Sequence, residues 1–291
     1  MKKEKQQQEI TAIVAQKRPE RFNVFLNGRY AFPVAESVLI KYRLYKGMEV
    51  DKELLEQISN DDQVAQAYSK MLDYLSHQLR TEHEVKQKLT ELAAPPEIVP
   101  VVMAKLRENR LLDDQEYAAA FVRTEMNTTL KGPGVIRQKL RQKRVGELLI
   151  DRALEQFTIE QQQANATKLV KKLAKRYANQ PVRRQEEKIR QGVITQGYSG
   201  DVYQLVKETG FPTPDQEGQE ELLTREAQKV WRRYQRYQGY ERELKVKQAL
   251  YRKGFELDEI DHWLADQENL NNWWKGFQTK NPFLHPDLLV W

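Results

Sequence analysis

The chain has 291 residues, of which 31% are charged and 40% hydrophobic, with a formal net charge of +6 and a pI near 9.2. No run approaches the roughly 18 apolar residues that a membrane-spanning helix needs, and the lack of cysteine removes disulfides and thiolate metal sites. The opening MKKEKQQQEI has no apolar core of a secretory signal, and these features together predict a soluble, cytoplasmic protein.

Residues 10–34 carry the β signals. Ile10–Val14 is a β-branched run, Phe22–Leu26 alternates apolar and polar side chains, and Asn27-Gly28 marks a hairpin before Tyr30-Ala31-Phe32. Pro33 places that last strand at an edge. A helix over Ser37–Tyr45 stops at Lys46-Gly47, and Asp51 caps a short helix ending at Ile58. Asn60-Asp61-Asp62 reads as a cap and a boundary. Residues 1–62 are therefore expected to form a small β-rich module with short helices that docks against the first helical repeat.

The rest of the chain is helical in pattern. A helix carrying Val64, Tyr68, Leu72 and Leu75 on one face precedes Arg80-Thr81-Glu82, with Thr81 an N-cap and Glu84 at its third position. Ala94-Pro95-Pro96 separates that second helix from a third, whose first turn takes Pro96. Asp113-Asp114 opens another helix, with Tyr117, Ala120, Phe121 and Thr124 on one face, and Lys131-Gly132-Pro133-Gly134 starts its successor. No strand precedes this glycine pair and no Gly-Lys-Ser/Thr comes after it, so it reads as a turn with proline near the first helical position. The longest first helix is expected at Ile159–Tyr177, with Leu169, Leu173 and Tyr177 in a row. Asn179-Gln180-Pro181 comes next, and Phe211-Pro212-Thr213-Pro214 is the clearest linker. Leu223, Ala227, Val230, Trp231 and Tyr234 mark the next face.

A register emerges from Lys247–Leu264, where Leu250, Phe255, Ile260, Trp263 and Leu264 flank the turn Lys253-Gly254. The same offsets run from Leu89 to Ala94, Val99, Val102 and Met103, and from Leu140 to Val145, Ile150, Ala153 and Leu154. They run again from Val193 to Tyr198, Tyr203 and Val206, failing only at Lys207. Four copies predict a mainly α fold, an array of tandem three-helix repeats behind the N-terminal module. The expected segments are 1–62, then repeats at 63–113, 114–158, 159–212 and 213–267, then an aromatic tail, 268–291, holding Trp273, Trp274 and Trp291. The tail caps the last repeat or stays mobile.

No catalytic set stands out. His83-Glu84 lacks the second histidine of a zinc-protease motif, and His77, His262 and His285 stand apart from one another. Asp61-Asp62 and Asp113-Asp114 fit helix caps better than Mg²⁺ ligands. No enzyme, metal or cofactor is expected. Positive charge concentrates in residues 159–212, with 10 Lys and Arg against 5 Asp and Glu, whereas 213–291 has 12 against 14. The candidate binding residues are Arg137, Lys139, Arg141, Lys143 and Arg144 in repeat two, then Lys168, Lys171, Lys172, Lys175 and Arg176, then Arg183 and Arg184. Lys168, Lys171, Lys172 and Lys175 share one side of a helix, which suits either a phosphate backbone or a solvated face. Aromatic and basic residues interleave over Trp231–Tyr237, where Trp231 and Tyr234 fall in the core register and Tyr237 and Tyr240 do not.

Several short motifs carry a resemblance to a known family. They are Tyr74-Leu75-Ser76 with Glu84, Lys88 and Leu89; Leu112-Asp113-Asp114 with Tyr117 and Phe121-Val122; Gly132, Ile136 and Lys139-Leu140; and Arg252-Lys253-Gly254-Phe255 with Ile260. In order and spacing they resemble the RecX family, helical regulators of the bacterial recombinase RecA. The segment Ile10–Glu49 is similar to the extension of its Gram-positive members. The likeness covers about residues 10–266. Lys143-Arg144-Val145 departs from the family's Lys-Gly-Ile, and Ala94-Pro95 replaces a glycine turn. The resemblance implies an elongated, curved array lying in the groove of the RecA–DNA filament as a monomer. There it would suppress ATP hydrolysis and strand exchange in recombination, DNA repair and the SOS response. Single-stranded DNA, with double-stranded DNA as a further candidate, would be the nucleic-acid partner. A free-standing, sequence-tolerant nucleic-acid-binding repeat protein and a scaffold for another protein are the alternatives.

Overall fold

The computed structural model describes residues 8–17, 19–213 and 215–267, so the expected tail and Pro214 of the linker lie outside the described residues. Strands β1 (Gln8–Ala15), β2 (Arg21–Leu26), β3 (Arg29–Ala35) and β4 (Glu49–Val50) form one antiparallel sheet in the order β3-β2-β1-β4. Asn27 and Gly28 take φ of 49° and 76°, the left-handed pair that a tight hairpin requires. Pro33 lies in β3 at the sheet edge, as its missing N–H demands. The two-residue strand β4 is too short to leave a periodic signal. Helix α1 (Glu36–Lys41) is shorter than its apolar run suggests.

The largest departure from expectation is α2 (Lys52–Ser76), one helix of 25 residues. Asp51 caps it by accepting from the Leu54 N–H at 2.9 Å, but Asn60-Asp61-Asp62 does not interrupt it. Asp62 is 6% exposed. It accepts from the Arg21 guanidinium at 2.8 and 3.1 Å, from the Ala35 N–H at 2.7 Å and from Gln66 at 2.8 Å. Asp61 holds Tyr42 and Lys41. Both acids tie the helix to the sheet module rather than ending it. Ile58 completes the module's core with Ile10, Val24, Leu26, Val34 and Val38. Further along, Val64, Ala67 and Met71 enter the next core, while Leu72, expected on that face, is exposed. The module and repeat one therefore share a helix. α2 also exceeds the 18-residue α8, which the sequence marks as the longest first helix.

Helices α3 (Glu82–Glu91) and α4 (Val99–Glu108) complete the first repeat. Thr81 and Glu84 form the expected capping box on α3, a feature typically worth about 1 kcal/mol. Pro96 sits in a turn, and Pro100 is the proline of the first turn of α4. The second repeat has α5 (Asp114–Thr128), α6 (Pro133–Gln142) and α7 (Glu147–Leu154). The third has α8 (Ile159–Arg176), α9 (Val182–Thr195) and α10 (Gly200–Gly210). The fourth has α11 (Gln216–Arg233), α12 (Gly239–Lys253) and the helical residues 257–267. By compactness the chain divides into two bodies, Met1–Thr124 with Arg137–Gln156, and Glu125–Ile136 with Phe157–Trp291, a cut that passes through α5 and α6.

The register is realised in every repeat. Leu89, Leu140, Val193 and Leu250 are each fully buried. The carbonyl of each accepts from the N–H five residues on, at 3.0 Å from Ala94, 3.1 Å from Val145, 3.3 Å from Tyr198 and 3.3 Å from Phe255. The intervening residue is left-handed each time: Ala93 at φ 53°, Arg144 at 60°, Gly197 at 89° and Gly254 at 103°. Repeats one and two thus keep the turn without glycine, in repeat one at Ala93 rather than at the expected Ala94-Pro95, and carry its strain, which is on the order of 1 kcal/mol for a residue with Cβ. Ala93→Gly is expected to raise stability by roughly 0.5–1 kcal/mol, read as a higher urea midpoint. An unchanged midpoint would show that Ala93 is not strained.

The turns of repeats two, three and four also meet the start of the second helix in the preceding repeat. Thr81, at the start of α3, donates its hydroxyl to the Lys143 carbonyl at 3.2 Å. At the start of α6, the Gly132 and Gly134 N–H groups donate to the Gln196 and Gly197 carbonyls at 2.7 and 2.9 Å. A Cβ on Gly132 would stand 2.6 Å from the Gly197 carbonyl carbon, which is why the Gly-Pro-Gly stretch is what it is. Near the start of α9, the Arg184 guanidinium donates to the Arg252 carbonyl at 3.2 Å, and Gly254 leaves room for the Arg184 stem.

Candidate nucleic-acid interface

The basic residues of repeat two are largely engaged within the protein. Arg137 pairs with Glu147 at 3.2 Å and Asp151 at 2.6 Å, and Arg141 grips Glu147 through two bonds of 2.5 and 3.0 Å. These guanidinium contacts, Arg141 foremost, hold the Glu147 carboxyl below its ordinary range. Lys143 reaches Glu84 at 2.6 Å, and that bond raises the lysine. Burial alone would lift Glu84, yet the Lys143 and Thr81 bonds outweigh it and leave the carboxyl lowered. Lys139 lies 5.8 Å above the Phe121 ring. Arg144 is exposed in its strained turn. Of the five, Arg137, Arg141 and Lys143 would have to release a carboxylate before meeting a phosphate.

Repeat three is different. Thr158 caps α8 by accepting from the Gln161 N–H, and Ala166, Leu169, Val170 and Ala174 form its buried stripe, with Leu173 and Tyr177 half-buried beside it. The opposite side exposes Lys168, Lys171, Lys172, Lys175 and Arg176. No acidic residue occurs in α8 after Glu160, and none of these five cations forms an ion pair among the described residues. Arg176 and Lys188 lie 5.7 and 5.5 Å from the Tyr177 ring. Arg183 stacks at 4.5 Å on Tyr251, and Arg184 pairs with Glu187 at 3.0 Å. The twelve predicted cations are thus not one surface, and the α8 set is the one continuous row that combines exposure with freedom from carboxylates among the described residues.

The α8 set is itself divided. Lys168, Lys172 and Arg176 line a groove of about 550 Å³ whose other wall is residues 127–131. Lys175 lines a separate depression with Asp215, Glu221 and Arg225. The first groove adds residues that a helical-face argument could not supply: Asn127, Lys131 and Gln196. Lys131 is held at 3.2 Å by Glu125, which is 9% exposed, and the Asn165 amide donates to the Met126 carbonyl at 2.7 Å. In sequence the 127–131 wall stands tens of positions from α8, and only the Lys131 flank of the Gly-Pro-Gly turn hints at it.

The remaining candidates serve caps and core. Asp113 accepts from the Gln115 and Glu116 N–H groups as a cap of α5, and Asp114 accepts from the Glu82 N–H at 2.8 Å. Among the described residues no group of three His, Cys, Asp or Glu is placed to hold a metal, and no helix is long and apolar enough to cross a membrane. Trp231 packs edge-on to Trp263 at 6.0 Å, with Arg242 over its ring at 3.9 Å, so this aromatic serves the core. Tyr237 lies under Arg236 and Lys245, and Tyr240 is 77% exposed.

Four family models match the chain. They are described as the RecX N-terminal domain over residues 8–51, the first three-helix domain over 67–106, the second over 113–154 and the third over 217–264. The family's third domain therefore falls on the fourth repeat in chain order, with α8–α10 lying between its second and third. A protein of Limosilactobacillus reuteri named Regulatory protein RecX is 55% identical over 259 residues, 89% of this chain and 98% of its own length. The like-named protein of Levilactobacillus brevis is 52% identical over 88% of this chain and 97% of its own. A crystal structure titled as regulatory protein RecX is 54% identical, with a TM-score of 0.65 over 69% of this chain and 99% of that one.

Proposed function

Because this chain belongs to the RecX family of regulatory proteins, we propose that it is a non-enzymatic modulator of RecA. It engages the RecA–DNA filament and suppresses ATP hydrolysis and strand exchange in recombination, DNA repair and the SOS response. The observation that carries the DNA side of this reading is the row of unpaired cations on α8. An acid-free helix face of this kind attracts a phosphate backbone without regard to sequence and in a salt-dependent way. Ion-paired Arg137, Arg141 and Lys143 contribute less to that field. A cytoplasmic, monomeric protein acting without metal or cofactor suits the reading.

The test is RecA's DNA-dependent ATPase with the full chain added. Substoichiometric protein is expected to lower the rate severalfold, and an unchanged rate at saturating protein would end the proposal. The second reading, a nucleic-acid-binding repeat protein independent of RecA, is favoured by the same cations. It predicts tight DNA binding with a steep salt slope and no effect on the ATPase.

A further inference from the structure

The groove beside α8 has features that a simple polyanion face does not require. Lys168, Lys172 and Arg176 recur every fourth residue, about 6 Å of helix rise apart. Across from them runs the 127–131 segment, which supplies the exposed Asn127 amide. The floor is apolar, made by Leu130, Leu169 and Leu173. Asn165 is 9% exposed and donates through its amide to the Met126 carbonyl, while its own carbonyl oxygen accepts no hydrogen bond among the described residues, and the residue lines the groove. No acid among the described residues lines the groove, and Glu125, two residues before its 127–131 wall, is paired with Lys131. Cations along α8, an apolar lining and two amides, Asn127 on the 127–131 wall and Asn165 on α8 itself, match the three parts of a nucleotide. A duplex presents its bases stacked and paired, and could offer only phosphates to such a groove.

We propose that this groove receives an unpaired nucleotide of a single strand. Its phosphates lie along Lys168 and Lys172, its base packs on Leu130 and Leu173, and the base edge is read by Asn127 and Asn165. The proposal rests on the reading that the protein works on nucleic acid. It goes further by seating one base in a defined groove and by separating Lys168 and Lys172 from Lys171 and Lys175, which lie outside the groove. Selection comes from base–surface contact, while affinity comes from counterion release.

The test is an anisotropy titration of the full chain with three probes of about 16 nucleotides: an oligothymidylate, a duplex of that length, and the same strand carrying abasic sites. The oligothymidylate is expected to bind about tenfold more tightly than either other probe, since each of those withholds the base that the apolar lining would cover. Lys168→Glu with Lys172→Glu is expected to cost at least tenfold for the oligothymidylate and to flatten its salt slope by roughly 1.4. Lys171→Glu with Lys175→Glu, outside the groove but in the same cation row, is expected to cost about threefold through the general field of the face. All four lysines are exposed, so circular dichroism should be unchanged in both variants. Equal losses in the two pairs would reduce the groove to part of a uniform face. Equal affinity for the abasic strand or the duplex would remove the base from it. The titrations contain no RecA, so their failure discards the groove alone. Tight single-strand binding without ATPase inhibition would instead discard the RecA reading and keep the groove.

Discussion

Gly197→Ala is expected to destabilise the protein by about 3–5 kcal/mol, the range for a backbone clash that cannot relax. Gly197 has a φ of +89°, and a Cβ there would stand 2.4 Å from the Val135 backbone nitrogen. That nitrogen belongs to the first turn of α6, whose Gly132 and Gly134 N–H groups are satisfied by the turn holding Gly197. Alanine would have to separate the two backbones, leaving those donors without acceptors as well as straining its own φ. Gly200→Ala is the control, because nothing lies within 4 Å of its Cβ position at the start of α10. It should shift stability by under about 0.5 kcal/mol, or raise it. Urea unfolding tracked by circular dichroism reads both variants, and a Gly197→Ala midpoint close to the Gly200→Ala midpoint would remove the docking account.

A second large effect is expected at Asp62. Its carboxylate is nearly buried and receives two guanidinium bonds, one backbone N–H and one side-chain amide, so Asp62→Ala leaves the largely buried Arg21 charge without its carboxylate. Breaking such a pair costs about 3–5 kcal/mol, mostly as the penalty on the stranded partner. Arg21→Ala in the Asp62→Ala background should therefore recover part of the loss. Neighbouring Asp61, 29% exposed in its contact with Lys41, should cost under about 1 kcal/mol when changed to alanine. Equal costs at the two positions would return both residues to the status of surface acids.

These two sites also mark what the sequence could and could not convey. The repeat was legible because its determinants are local: the fully buried Leu89, Leu140, Val193 and Leu250 each sit at a fixed offset from a left-handed residue. So were the capping box at Thr81 and the hairpin at Asn27-Gly28. Asn60-Asp61-Asp62 has the residue types of a helix cap, but its two acids serve groups remote in sequence. Their partners, Arg21 and Lys41, stand 41 and 20 positions away. The cations of α6 and α8 looked equivalent in composition, and only the placement of Glu147, Asp151 and Glu84 distinguishes them. The groove was illegible for the same reason: a helical projection places Lys168 and Lys172 on a face but cannot place Asn127 opposite them.

The contacts between successive second helices constrain how this chain can change. All three joints deliver a carbonyl to the beginning of the preceding helix, but the donor differs each time: a hydroxyl at Thr81, bare amides at Gly132 and Gly134, a guanidinium at Arg184. Each joint is a lock with its own key. A chain with repeats three and four exchanged would bring the turn of Arg252 against Gly132, where no long side chain waits to reach it. Duplicating or deleting a repeat would leave a similar mismatch at the seam. Homogeneous solenoids lengthen by copying a unit, whereas here the order of the repeats is written into the joints, and new length has to arrive together with a matching donor.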